Sequence, residues 1–241
     1  MKKGKKYSVE IIQDNYLLAQ AFNLRYKINK QINPAMVAHC TQPFECDVYD
    51  KRSIHIGLFL KIKNEKLLVG YSRFVLPAAL VKLFKGLIND SHPLYKHADL
   101  NVDEERLPFI EKLPFNKFLV ANNQCFLLEQ HVKIYFEASS LLIDERYRSF
   151  SAAKFFIAGI YALAQVLNPS FVIISGYGKH ERYYSNLGFT PFNYSGLYKT
   201  NTRTEKVLEI NLQAGQAVPT FVRYLKMQYH IEQQMSWEFA A

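Results

Sequence analysis

The sequence predicts an α/β (α+β) fold: a mixed, mostly antiparallel central sheet, splayed around a ligand groove and flanked by helices. Three observations lead there. Residues 15–31 place Leu17, Leu18, Ala21, Phe22, Leu24 and Ile28 at helical spacing. Residues 55–62 and 67–76 are β-rich runs joined by a short turn at Asn64-Glu65, the pattern of a hairpin. A third β-rich run, 132–143, leads through Arg148-Ser149-Phe150-Ser151-Ala152-Ala153 into a helix over 149–167, then into a buried strand over 171–175.

Each element follows from local chemistry. The lysines of residues 1–6 read as a solvated, frayed tail. The first helix ends at Asn33-Pro34, because the residue before proline is driven out of the helical region. Residues 35–43 form a polar loop expected to be mobile. Residues 77–130 form an irregular insertion with Pro77, Pro93, Pro108 and Pro114, and a helical patch near 79–89. Its Leu80, Val81, Leu83, Phe84 and Leu87 indicate packing. A helix near 179–186 and strands at 194–199 and 206–212 complete the sheet. The extension over 201–241 ends in a helix at 219–235, with Pro219 in its first turn. A single domain over 1–241 accounts for the length.

Composition narrows the class. The formal charge is +9, and 49% of residues are apolar, 15% aromatic. That is enough for a large core and for an apolar tunnel. A basic surface attracts acidic proteins or anionic membranes, yet no nucleic-acid motif is visible. Cys40, Cys46 and Cys125 have no metal-ligand spacing and fit a reducing, cytoplasmic setting. Cys40 beside His39 is a weak nucleophile candidate. No secretory leader is visible, and the apolar segment 152–167 carries Lys154 and is too short to span a bilayer. Peripheral membrane contact stays open.

A strand feeding a helix through small residues leaves N–H groups unpaired at the helix start, a ready anion site. Farther on comes Tyr184-Ser-Asn-Leu-Gly-Phe189. This order resembles the GNAT acyltransferase superfamily. The resemblance implies an Arg-x-x-Gly-x-Gly/Ala loop that cradles a thioester donor, and a tyrosine that protonates the leaving thiolate. The loop positions here are Arg148, Ser149, Ser151 and Ala153, and the tyrosine is Tyr184, with Tyr183 as alternative. Ser151 stands where the family has glycine, so the backbone cannot approach a phosphate as freely.

A second constellation lies in the N-terminal half. Arg25 sits on the first helix, Glu45, Asp47 and Asp50 precede the hairpin, Arg73 lies near the end of its second strand, and Glu137-Ala-Ser139-Ser140 occupies the third. These positions resemble the autoinducer synthase and long-chain N-acyl amino acid synthase branch of the fold, and exosortase-associated acyltransferases. The branch has Arg where this chain has Ser140, which argues against homoserine-lactone synthesis. Three carboxylates within six positions are costly unless paired, and Arg25 and Arg73 are suitable partners. The group is an acceptor pocket or a structural ion-pair network. Glu137 is a general base if it faces the groove, and a surface residue if it faces outward. His55 and His180 read as polar rim residues.

These expectations combine into one reaction. A long-chain acyl group passes from an acyl carrier protein, or from acyl-CoA, to the amine of an amino acid or similar molecule. Backbone N–H groups near Ser139, Ser140 and Gly176 polarise the carbonyl. Arg146 and Lys154, beside Arg148, form a basic rim for carrier-protein docking. Neither a metal nor a tightly bound cofactor is expected. The alternatives are an acetyl-CoA- or acyl-CoA-dependent acetyltransferase and a non-catalytic acyl- or CoA-binding regulator.

Overall fold

The computed structural model describes residues 6–32, 34–38, 40–63, 65–76, 81–98, 135–167, 171–176, 184–185, 189–191, 198–199 and 204–211. Its elements in chain order are β1 (Lys6–Ile11), α1 (Asn15–Ile32), β2 (Ser53–Ile62), β3 (Glu65–Val75), β4 (Tyr135–Ile143), α2 (Phe150–Leu167), β5 (Phe171–Gly176), β6 (Thr190–Pro191), β7 (Tyr198–Lys199) and β8 (Thr204–Asn211). The sheet order is β1-β2-β3-β4-β5-β8-β6, with β7 on β8. β4 and β5 pair in parallel and the other neighbours antiparallel. The crossover through α2 makes that parallel pair, as a parallel connection requires. The mixed, mostly antiparallel sheet matches the sequence.

Alternation sorts side chains onto two faces. Ile54, Ile56, Leu58, Phe74, Phe136 and α2 residues such as Phe156 form one apolar cluster. Leu18, Phe22 and Ile28 of α1 pack with Phe59 and Tyr71 on the other face. The apolar stripe of α1 buries as its spacing dictates. α2 is long and apolar enough to cross a membrane by length and composition, and half of that stretch is buried in the protein. The helix begins one residue later than the expected 149–167, and the burial of its apolar side chains in the cluster with the sheet explains its apolarity.

Four local differences emerge. Lys6 belongs to an edge strand, pairing opposite Lys61, so the basic tail does not extend through it. Gly159 of α2 lets this strand approach closely: a Cβ there would lie 2.5 Å from Val9 Cγ2. Residues Pro34–Val37 form a 3-10 turn within the loop read as mobile. Near 79–89 the described structure is a turn and a 3-10 segment at Lys85–Leu87, not a longer helix. Pro93–His97 is a further 3-10 turn inside the insertion, capped by the His92 ring accepting from Leu94 N. The expected C-terminal helix at 219–235 lies outside the described residues.

Candidate functional site

The two arginines and three acids meet, although they come from α1, the following loop and β3. Arg25 Nη2 donates to Asp47 Oδ2 at 2.8 Å and its Nη1 to Asp50 Oδ2 at 3.0 Å. Arg73 Nη1 and Nη2 grip Asp47 at 2.9 Å each, and Nη1 also reaches Asp50 at 2.5 Å. Glu45 lies 3.3 Å from Arg25 Nε and accepts from Asn29 Nδ2 at 2.7 Å. All of these side chains are buried. Burial alone would raise the Asp47 pKa, but two guanidinium charges and their hydrogen bonds outweigh it and hold that carboxyl well below its usual range. Burial likewise opposes the charge on both arginines, yet the carboxylates push their pKa values up. The network ties the N-terminal helix to the sheet, as a structural role requires.

His55 is not a rim residue. It is fully buried on β2, with Nδ1 2.9 Å from the Tyr71 hydroxyl and Nε2 3.0 Å from Asp50 O. Tyr95, from the insertion, also lies 3.2 Å from Nε2. Burial lowers the His55 pKa to about 4, with Arg73 and Arg25 adding to the effect against the pull of Asp50. Cys46 is buried too, and burial together with Asp50 pushes its thiol up to about 12, so it is a poor nucleophile. Cys40 is part-exposed, and its neighbour His39 lies outside the described residues.

The centre of the sheet is irregular where the reaction was expected. Tyr71 pairs with Leu142 and Arg73 with Ser139, so Ser72 faces both Ser140 and Leu141. This is a β-bulge, and Ser140 takes a left-handed φ of 57°. Ser72 Oγ donates to Ser139 O at 3.0 Å and staples the bulge. On the other side, β4 pairs with β5 only as far as Ala138 and Ile174. Beyond them Ser175 and Gly176 pair with Val207 and Lys206 of β8, so β4 and β5 part at Ser139. A small apolar cleft opens there, with a volume of about 30 Å³. Its walls include Ala138, Leu141, Ile157, Tyr161, Ile174 and Tyr184.

Register decides where Glu137 lies. It pairs opposite Val75, two residues from Arg73, and is only 5% exposed. The outward-facing alternative therefore fails. Glu137 and Ser139 share the face of the ion network, while Ala138 between them lines the cleft. Tyr184 is buried on the cleft side, with its ring centroid 5.9 Å from that of Phe189 and its carbonyl accepting from Phe189 N. Tyr183, Lys179, His180 and Arg182 lie outside the described residues.

The loop before α2 is capped by its own side chains. Ser149 Oγ accepts from Ala152 N at 3.1 Å and lies 3.1 Å from Ser151 Oγ. Ser149 O accepts from Ala153 N. Arg148 is exposed, and its guanidinium donates back to Ile143 O at 3.1 Å. Arg146 grips Asp144 through Nε and Nη2, so its charge is largely offset. Lys154 is exposed on the first turns of α2. Residues the sequence reading missed are Ser72, Tyr95, Asn29 and Tyr161. For Ser72 and Tyr161 the signal was present: alternation puts Ser72 opposite in face to Arg73, and helical spacing aligns Tyr161 with Ile157.

A mixed sheet that parts between a bulged β4 and a parallel β5, with an apolar helix crossing over, is the GNAT-like acyltransferase fold. Among solved structures the chain is similar to FeeM, an N-acyl amino acid synthase from uncultured soil microbes, at 14% identity and TM-score 0.54, over 92% of this chain and 99% of that one. It is also similar to MesI, a CoA-dependent acyl-homoserine lactone synthase, at 16% identity and TM-score 0.53, over 93% and 96% of the two chains. BjaI, another such synthase, aligns at 12% identity and TM-score 0.53, over 93% and 89%. At these identities the likeness is one of fold. No protein-family model and no curated protein matches the sequence.

Proposed function

We propose that this protein is an N-acyltransferase. It moves a long-chain fatty acyl group from an acyl carrier protein thioester to the amine of an amino acid or similar small molecule. The observation that carries this reading is the parting of β4 and β5 directly over an apolar cleft. An acyl chain enters the cleft, and its thioester lies in the gap beside the Ser140 bulge. Each methylene buried there adds about 0.8 kcal/mol, which favours long chains. The names of the similar solved structures agree with acyl transfer to an amine.

The reaction uses both faces of the sheet. The acceptor ammonium loses a proton to Glu137, directly or through one water, on the face of the Arg25–Arg73 network. The freed amine attacks the thioester carbonyl, and N–H groups near Ser139, Ser140 and Gly176 stabilise the oxyanion. The C–S bond breaks, and Tyr184 gives its proton to the departing thiolate from the cleft side. The network shapes the acceptor pocket as well as holding α1.

The Asp144–Arg146 pairing favours a second reading on one point. It removes one cation from the proposed carrier-protein rim, which leaves Arg148 and Lys154 and strengthens acyl-CoA as the donor. Carrier-protein affinity at low and high salt, for wild type and Lys154→Glu, separates the donors. Mass spectrometry of lipids from expressing cells tests the activity. An accumulated N-acyl amine is expected, and its absence, with no turnover of either thioester across an amine panel, would leave a non-catalytic thioester binder.

A further inference from the structure

One end of the sheet carries a basic surface set with apolar side chains, most of which the acyl-transfer chemistry leaves unused. Register places Lys6 of β1 opposite Lys61 of β2, and Lys61 opposite Lys66 of β3. The three lysines therefore stand side by side on one face. Lys63 follows in the turn, and Ile62 and Leu67 lie on the other face of the same hairpin tip. All six side chains are exposed. The donor loop sits at this end too. Asp144 N donates to Val69 O, two residues from Leu67, and the Phe155 ring lies 5.9 Å from that of Tyr7, next to Lys6. Phe150 and Lys154 on the first turns of α2, and Arg148 before it, are exposed there as well.

Like charges directly opposite one another destabilise a sheet. Glu10 relieves Lys66 at 2.7 Å. Lysine on an edge strand deters edge-to-edge pairing, which accounts for Lys6. It does not account for Lys61, because β2 is paired on both sides. A row of cations with exposed apolar side chains beside it suits a partner that is both anionic and apolar.

We propose that this end of the sheet docks on an anionic lipid bilayer. Ile62, Leu67 and Phe150 enter the headgroup region, and the lysines meet lipid phosphates. The inference goes beyond the acyl-transfer reading and does not depend on it. Lysine supplies most of the charge, because Arg146 is tied to Asp144. Lysine is depleted from protein–protein interfaces, which favour compact clusters of aromatic residues and arginine. At a bilayer its apolar stem lies against lipid while the ammonium stays among the headgroups. Each cation brought to an anionic membrane strengthens binding about fivefold.

The test is co-sedimentation of the full chain with vesicles, without substrates, at low and high salt. One set is phosphatidylcholine alone, and the other is phosphatidylcholine and phosphatidylglycerol in equal parts. Binding to the anionic set is expected, with little to the neutral set and a marked loss as salt rises. Lys61→Gln/Lys63→Gln should bind about 25-fold more weakly, and Ile62→Ser about fourfold, the weight of one buried methylene. These positions are exposed and outside the acyl-transfer site, and melting temperature checks their folding. Absence of binding to anionic vesicles overturns the proposal, as does binding that neither variant weakens. If the same variants weaken binding of an acidic carrier protein and no vesicle is bound, the surface belongs to a protein partner and the proposal fails. Turnover of a soluble thioester without vesicles tests the acyl-transfer reading separately, so either can fail alone.

Discussion

Arg25 and Arg73 converge on one oxygen, Asp47 Oδ2, at 2.8 and 2.9 Å. One guanidinium comes from α1 and the other from β3, so Asp47, together with Asp50, which also accepts from both, fastens helix to sheet. Like charges are thereby held close, and only the acids between them make that tolerable. Asp47→Asn keeps the shape and removes the charge. Breaking one member of a buried ionic group typically costs about 3–5 kcal/mol. Urea unfolding should show a loss of that order. A change under about 1 kcal/mol would mean that Asp50 and Glu45 suffice, and that Asp47 is kept for the acceptor.

Acid sensitivity should have two stages. The His55 pKa falls from its ordinary 6.5 to about 4 on folding. The unfolded chain therefore takes up the proton first. His55 contributes its full stability above about pH 6.5, and loses it as pH falls toward 4, by up to about 1.4 kcal/mol per pH unit. Asp47, depressed on folding, adds a further loss as pH drops below its unfolded value of about 3.9. Unfolding free energies at pH 7, 6, 5 and 4 test this. His55→Gln should flatten the first stage and leave the second, and an unchanged slope between pH 6.5 and 4 would rule His55 out.

β1 should be anchored to α2 by one close approach. Gly159→Ala places a methyl 2.5 Å from Val9 Cγ2 and 2.7 Å from Val9 Cβ. Overpacking of this kind costs about 1–3 kcal/mol. Val9→Ala should restore much of that loss in the double variant, although alone it destabilises by opening a void. The coupling energy from the four-protein cycle is the measurement. Additive effects would mean that the edge strand is not packed there.

What the sequence carries depends on how local each signal is. The α1 stripe, the hairpin and the β4–α2–β5 order are legible because periodicity alone encodes them. Arg25, Glu45, Asp47, Asp50 and Arg73 could be grouped because buried charge demands partners, although their distances could not. β1 is obscured because Lys6-Tyr7-Ser8-Val9-Glu10-Ile11 follows a lysine tail and becomes a strand through its pairing with β2. The Ser140 bulge has no glycine to announce it. His55 looks like a surface residue until Tyr71 and Tyr95, distant in sequence, close around it.

Glu137 and Tyr184 should fail in different ways, because they approach the gap from opposite faces. Tyr184→Phe removes only a hydroxyl from the cleft wall. Donor binding should stay close to wild type while turnover falls about 100-fold or more, as loss of a leaving-group acid predicts. Glu137→Gln keeps the volume of a buried side chain and removes the base. It should lower kcat and alter the pH–rate profile between pH 6 and 10, because the amine must then lose its proton to solvent. Donor affinity, read separately by calorimetry with a non-reactive thioether analogue, should not follow kcat in the Glu137 variant. If Tyr184→Phe turns over at the wild-type rate with the best substrate pair, that hydroxyl has no part in thiolate departure. If the Glu137→Gln profile superimposes on wild type, Glu137 is a member of the packing beside Val75 and the proton leaves by another route.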